Sequence, residues 1–211
     1  MSKQQKPIVG ISIGDINGIG MEVVIKTCLD NRMMEFCTPV VYGSQKVSTE
    51  HRKALGIDNF SFNVVKEDGK LNYKRPNLIN VWDEEVQVEL GEATSQGGKY
   101  AFKSLDAAVQ DLAGNKVDVL VTAPINKANM PEGQFNAAGH TEFLANYANV
   151  DNYLMIMVAD QLRVGLVTGH IPLREVASAV TVDAILKKLE VFENPSCKTL
   201  ECAVPRLPFL A

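Results

Sequence analysis

Short runs of β-branched and aliphatic residues alternate along this chain with stretches of helical periodicity, and that alternation restricts it to an α/β layered fold. Ile8–Ile13 reads as a strand, followed by the glycine-rich loop Gly14-Asp15-Ile16-Asn17-Gly18-Ile19-Gly20 and a helix over Met21–Asp30. A strand at Pro39–Tyr42, a polar-faced helix over Ser44–Leu55 and strands at Phe60–Val65 and Leu78–Val81 come next, the last two separated by the polar segment Lys66–Pro76. From Gly97 to Leu112 the positions Tyr100, Ala101, Leu105, Ala108, Val109 and Leu112 recur at helical spacing. Val117–Thr122 is nearly all apolar, which predicts a parallel strand buried on both faces, and it ends in Ala123-Pro124. Strands at Tyr153–Ala159 and Leu162–Thr168 flank a turn at Asp160-Gln161. A last helix runs from Thr181, as N-cap, to Glu193, with Val182, Ile185, Leu186 and Leu189 on one face.

Composition closes off several function classes. With 211 residues the chain has length for a real core, and its hydrophobic share of 46% and charged share of 22% argue against disorder. A net charge of -4 argues against a duplex nucleic-acid binder. No apolar run is long enough to span a bilayer, and Met1–Lys6 is polar, without the apolar core of a secretory signal, so a cytoplasmic protein is expected. Cys28 and Cys37, nine positions apart, and Cys197 and Cys202, five apart, do not have zinc-type spacing and read as buried or incidental thiols.

The glycine loop follows a strand and opens a helix, a place where backbone N–H groups can surround an anion. It matches neither the P-loop nor the dinucleotide fingerprint, so by itself it reads as a tight turn; Asp15 within it could orient a ligand or a basic neighbour. Of the three histidines, His51 sits among Glu50, Arg52 and Lys53 and reads as surface. His140 lies in Gly139-His140-Thr141-Glu142, which sets an imidazole, a hydroxyl and a carboxylate side by side at a helix start, after a glycine that lets another group approach. His170 follows an apolar strand in Thr168-Gly169-His170-Ile171-Pro172, where ligands bind in open α/β sheets. Both are candidates for acid–base work or metal ligation. Two histidines do not complete a catalytic metal site, which takes three protein ligands.

Four segments together resemble the 4-hydroxythreonine-4-phosphate dehydrogenase family. Ile11–Gly20 is similar to its opening Gly-Asp/Glu-Pro-Ala-Gly-Ile-Gly signature and Val121–Lys127 to its Thr-Gly/Ala-Pro-x-x-Lys turn. Gly139–Leu144 and Thr168–Arg174 match two further signatures in the same order. The resemblance implies a fold like that of isocitrate and isopropylmalate dehydrogenases, with α/β/α subdomains and an active site in a cleft at a homodimer interface. It implies His140 and Thr141 as contacts to a phosphorylated substrate, Lys127 and Asp15 as catalytic groups, and His170 as one of three histidines on a divalent metal (Zn, Mg or Co). The implied reaction is NAD-dependent oxidation of 4-phosphooxy-L-threonine to a 3-oxo acid. Loss of carbon dioxide then gives 3-amino-2-oxopropyl phosphate, on the route to pyridoxal phosphate. Two departures stand out: Ile16-Asn17 replaces Pro-Ala, and Asn126 stands where many members have histidine. A dehydrogenase of another phosphorylated four-carbon hydroxy acid would share these motifs, and a non-catalytic substrate-binding protein could keep the pocket alone.

Residues 1–194 fit the family pattern as one α/β region: an N-terminal subdomain plus part of a second. The segment 195–211, with Pro195, Pro205 and Pro208, lacks periodicity. One choice of codons for Thr199–Ala211, shifted by one base, reads Asp-Phe-Gly-Val-Arg-Ser-Pro-Pro-Ile-Ala-Val-Phe-Gly, similar to the family's segment ahead of Leu-Asn-Pro-His-Ala-Gly. The expectation is an out-of-frame tail, in a chain without the family's two remaining metal histidines and most of its NAD contacts, and hence without turnover.

Overall fold

The computed structural model describes residues 6–66, 69–160 and 162–193, so the 195–211 tail expected from the sequence lies outside the described residues. The chain forms two compact units, Met1–Phe143 and Leu144–Ala211.

In the first unit β1 (Ile8–Ser12), β2 (Thr38–Gly43), β3 (Asn63–Val65), β4 (Asn77–Asn80) and β5 (Val119–Thr122) make one parallel sheet in the order β3-β4-β2-β1-β5. The central strand β2 is buried at all six positions, as its continuous apolar run requires. The connections supply the covering helices α1 (Gly20–Leu29), α2 (Met33–Phe36), α3 (Gln45–Ala54) and α4 (Ser95–Ala113). Val24, Ile25 and Val47 from α1 and α3 pack with Ile11, Val41 and Leu78. The opposite pleat, Val40 and Tyr42, packs with Ala108 of α4 and Val117. Ser44 and Thr94 cap α3 and α4 by accepting from Lys46 N and Gly97 N.

A polar pin crosses this core. The fully buried Ser104 hydroxyl of α4 donates to Tyr42 O at 2.6 Å and accepts from Ile13 N at 2.9 Å, serving two main-chain groups just where β1 ends. Ser104→Ala leaves both unsatisfied and should lower unfolding free energy by roughly 2–3 kcal/mol, read from the urea midpoint; an unchanged midpoint would show that water or a shift replaces the pin.

The structure corrects two expectations here. β5 is not buried on both faces: among the described residues it is the edge of the sheet and pairs only with β1, and Val119 and Val121 are 46% and 51% exposed. His51 is not surface. It shares the inner stripe of α3 with Val47 and Ser48 and is 2% exposed, its Nε2 donating to Ile16 O at 2.7 Å.

In the second unit β6 (Ile156–Ala159) and β7 (Leu162–Gly165) form an antiparallel hairpin, with Asp160 at φ 47° in its turn. α6 (Leu173–Ala179) and α7 (Val182–Glu193) follow, and Thr181 Oγ1 caps α7 by accepting from Ala184 N at 3.1 Å. Of the apolar face expected on α7, Ile185 and Leu189 are half-buried while Val182 and Leu186 are exposed. Among the described residues no helix is long and apolar enough to cross a membrane.

Candidate functional site

Parallel pairing of β1 with β5, in the register Ser12↔Thr122, sets their carboxyl ends side by side, so the glycine loop and the Lys127 turn emerge together. They are bonded directly: Asp15 N donates to Pro124 O at 3.0 Å. Gly14 makes this approach possible, with φ +68° and a position where a Cβ would collide with the Pro124 carbonyl.

Asp15 is 6% exposed and its carboxylate is occupied. Oδ1 accepts from Asn17 N and Oδ2 from Asn129 Nδ2, both at 2.9 Å, against the first turn of α4. The same Asn129 amide donates to Thr94 O at 2.9 Å, and Asn17 Nδ2 donates to Thr94 Oγ1 at 2.9 Å and to Glu92 O at 3.1 Å. The glycine loop, the start of α4 and the 3-10 turn Lys127–Asn129 are thereby one hydrogen-bonded block. Asn17, which departs from the family pattern, is a member of that block. Asn126, the other departure, caps the 3-10 turn by accepting from Ala128 N at 3.1 Å. Asp15 is thereby bonded directly to the turn that carries Lys127.

Lys127 itself is exposed. It converges with the start of α5 (His140–Tyr147), where Lys127 Cε and Nζ and Glu142 Oε2 each lie 3.4 Å from the position of a Cβ on Gly139. Lys127 does come up beside Gly139, but at a distance where a Cβ would make only ordinary contact, so the approach is not one that glycine alone allows. Aromatic packing holds this helix start: Phe143 stacks on Phe135 at 5.3 Å and meets the Phe102 ring of α4 edge-on at 5.9 Å. His140 and Thr141 are the first two residues of α5, both half-buried. His140 Nε2 and Glu142 Oε2 are shut off from solvent without a hydrogen-bond partner among the described residues. Two polar atoms left open in one turn beside a lysine are what a polar ligand would satisfy.

Burial, and secondarily the Lys127 charge, push the His140 imidazole below its ordinary value near 6.5, so the fold keeps it neutral. The unfolded imidazole takes up a proton first as pH falls. Its contribution to stability is therefore full above about pH 6.5 and is lost as pH drops through the depressed folded value. Wild type should lose more of its urea midpoint between pH 7.5 and 5.5 than His140→Gln does; equal losses would place the imidazole in an open, unperturbed setting.

His170 lies in the second unit, exposed, in the coil between β7 and α6, next to a tight turn in which Ile171 N donates to Gly169 O at 3.0 Å. Among the described residues no group of three His, Cys, Asp or Glu side chains could hold a metal ion, so the residues present do not fit the implied three-ligand set. The groups missed from sequence were Thr94, Gly97, Gly98 and Asn129. Two adjacent glycines in a first helical turn were the available signal, because that local penalty implies a close backbone approach.

Residues 35–211 match the family model described as Pyridoxal phosphate biosynthetic protein PdxA. A 4-hydroxythreonine-4-phosphate dehydrogenase of Bacteroides thetaiotaomicron is 39% identical over 210 residues, covering 99% of this chain and 57% of the relative. A Clostridium botulinum relative named for D-threonate 4-phosphate dehydrogenation is 31% identical over 211 residues, covering 96% of this chain and 62% of its own. The crystal structure of a 4-hydroxythreonine-4-phosphate dehydrogenase from Burkholderia phymatum superposes with a TM-score of 0.75 at 26% identity, covering 89% of this chain and 57% of that one. The chain thus spans about three-fifths of the length of these relatives.

Proposed function

Because this chain belongs to the PdxA family of pyridoxal phosphate biosynthetic proteins, we propose that it carries the substrate-binding part of a 4-phosphooxy-L-threonine dehydrogenase. The convergence of Lys127 with His140 and Glu142 at the carboxyl end of the sheet is the observation that carries this reading. In it, the Lys127 ammonium pairs with an anionic oxygen of the substrate and the neutral His140 and the Thr141 hydroxyl complete the contacts. Asp15, Asn17 and Asn129 hold the Lys127 turn in place. NAD, when bound, accepts the hydride and leaves a 3-oxo acid that can lose carbon dioxide. The whole enzyme is proposed to act as a cytoplasmic homodimer with a divalent metal. His170 is its proposed ligand in this chain, but no step is assigned to the metal, because the partner ligands are not among the described residues.

The test is titration of the 211-residue chain with 4-phosphooxy-L-threonine, followed by an assay for NADH with NAD present. Saturable binding without turnover is expected, since this chain has three histidines and His51 is committed to the Ile16 carbonyl. Absence of binding would refute the site, and steady NADH formation would refute the need for further ligands. The second reading, oxidation of D-threonate 4-phosphate, is favoured only by the name of the 31% identical relative.

A further inference from the structure

The buried histidine of α3 has no part yet in the site, although the bonds around it lead there. The inward stripe of α3 is Val47, Ser48 and His51, and an aliphatic side chain at 51 would meet the needs of packing alone. Burying an imidazole is unfavourable unless its ring N–H finds an acceptor. His51 finds one in the middle of the glycine loop, the Ile16 carbonyl, 2.7 Å from Nε2. A carbonyl only accepts, so the ring proton sits on Nε2. The same Ile16–Asn17 peptide is held on its other side, where Asn17 N donates to Asp15 Oδ1 at 2.9 Å. The second oxygen of that carboxylate accepts from Asn129 Nδ2 at 2.9 Å, and Asp15 N donates to Pro124 O at 3.0 Å. Pro124 and Asn129 lie on either side of Lys127 in sequence. A continuous run of hydrogen bonds therefore joins α3 to both ends of the Lys127 turn, and each bond polarises the next.

We propose that His51 is a positioning residue for Lys127, acting through the Ile16–Asn17 peptide and the Asp15 carboxylate. Its ring N–H sets the rotation of that peptide, the peptide N–H orients the carboxylate, and the carboxylate holds Asn129 at the end of the turn. Loss of the imidazole removes the side-chain donor to a buried carbonyl, and the peptide then has to rotate or admit water. Either change moves Asp15, and with it the turn. The consequence for ligand binding rests on the site reading given under Proposed function, whereas the hold on the turn does not.

Two readouts on the 211-residue chain test this role, one with ligand and one without. His51→Leu keeps the bulk and removes the donor. It should weaken binding of 4-phosphooxy-L-threonine by about tenfold or more while still folded, because a misplacement of about 1 Å is enough to lose a contact. His51→Gln, whose amide reaches as far as Nε2 and also donates, should bind within about threefold of wild type. Val47→Ala loosens the same stripe of α3 without removing a loop hydrogen bond, so it should lower the urea midpoint and keep the affinity within about threefold. Without ligand, the amide signals of Lys127 and Ala128 in 15N–1H spectra should move in His51→Leu and return in His51→Gln. If His51→Leu does not fold, His51→Asn takes its place, since its shorter amide does not reach Ile16 O. Unmoved amide signals, wild-type affinity without the donor, or equal weakening in Val47→Ala would overturn the positioning role and leave the site reading intact. A wild type that binds no ligand refutes the site reading alone, and the amide signals then decide the role of His51.

Discussion

Gly98→Ala should destabilise the first unit by about 3–5 kcal/mol, the reverse of what the same exchange does in an ordinary helix. In a helix interior, alanine is normally better than glycine by about 0.5–1 kcal/mol because it restricts the unfolded chain and fits the helical backbone. At position 98 the added Cβ would collide with the carbonyl oxygen and carbon of Asn129 and lie 2.9 Å from Met130 N. All three are main-chain atoms of a turn that is itself hydrogen-bonded to Asp15 and Thr94, so a side-chain rotation cannot relieve the overlap. Either α4 or the Lys127 turn must move, and the block linking the glycine loop to both is broken. A urea midpoint equal to or above that of wild type would show that the two elements do not pack this closely. A residual fold that no longer binds 4-phosphooxy-L-threonine would show that the turn has moved away from α5.

Lys127→Met should weaken binding of 4-phosphooxy-L-threonine by roughly tenfold to a hundredfold while leaving stability within about 0.5 kcal/mol of wild type. The lysine is exposed, and the hydrogen bonds of its turn are made by Asn126 and Asn129. Its removal therefore affects a ligand more than the fold. Methionine keeps the length of the side chain and removes its charge. Wild-type affinity should fall as salt rises, and the variant's affinity should depend on salt less steeply. A variant that binds as tightly as wild type would remove Lys127 from the site. A midpoint that drops with the affinity would make the lysine part of the scaffold.

Much of the architecture was legible in the order of residues. Apolar runs of strand length alternating with amphipathic stretches demand a parallel sheet covered by helices, and Thr181 caps its helix where its chemistry predicts. The sheet also brings two of the motifs, the glycine loop and the Lys127 turn, side by side. Gly139 was read as admitting a neighbour, and Lys127 does lie beside it, though at a distance that an alanine would also allow. Three readings were beyond what spacing holds. His51 has a polar sequence neighbourhood, yet its helix turns it inward to a carbonyl 35 residues away along the chain. β5 is as apolar as a central strand, yet it stands at the edge, because strand order is decided by crossover connections rather than by the strand's own composition. Asp15 accepts from Asn17 N and from Asn129, and the second is a partner 114 residues away that spacing does not name.

Local physics therefore determined which segments are strands and helices, where helices begin, and which loops carry unusual residue types. Those properties depend on backbone sterics and on periodicity over a few turns. Only the tertiary structure decided which loops meet, which histidine is buried against a distant carbonyl, and which carboxylate oxygens have partners among the described residues. Those outcomes depend on strand order and on contacts between residues far apart in sequence, where one carbonyl or amide supplied by a distant turn separates a structural group from a functional one.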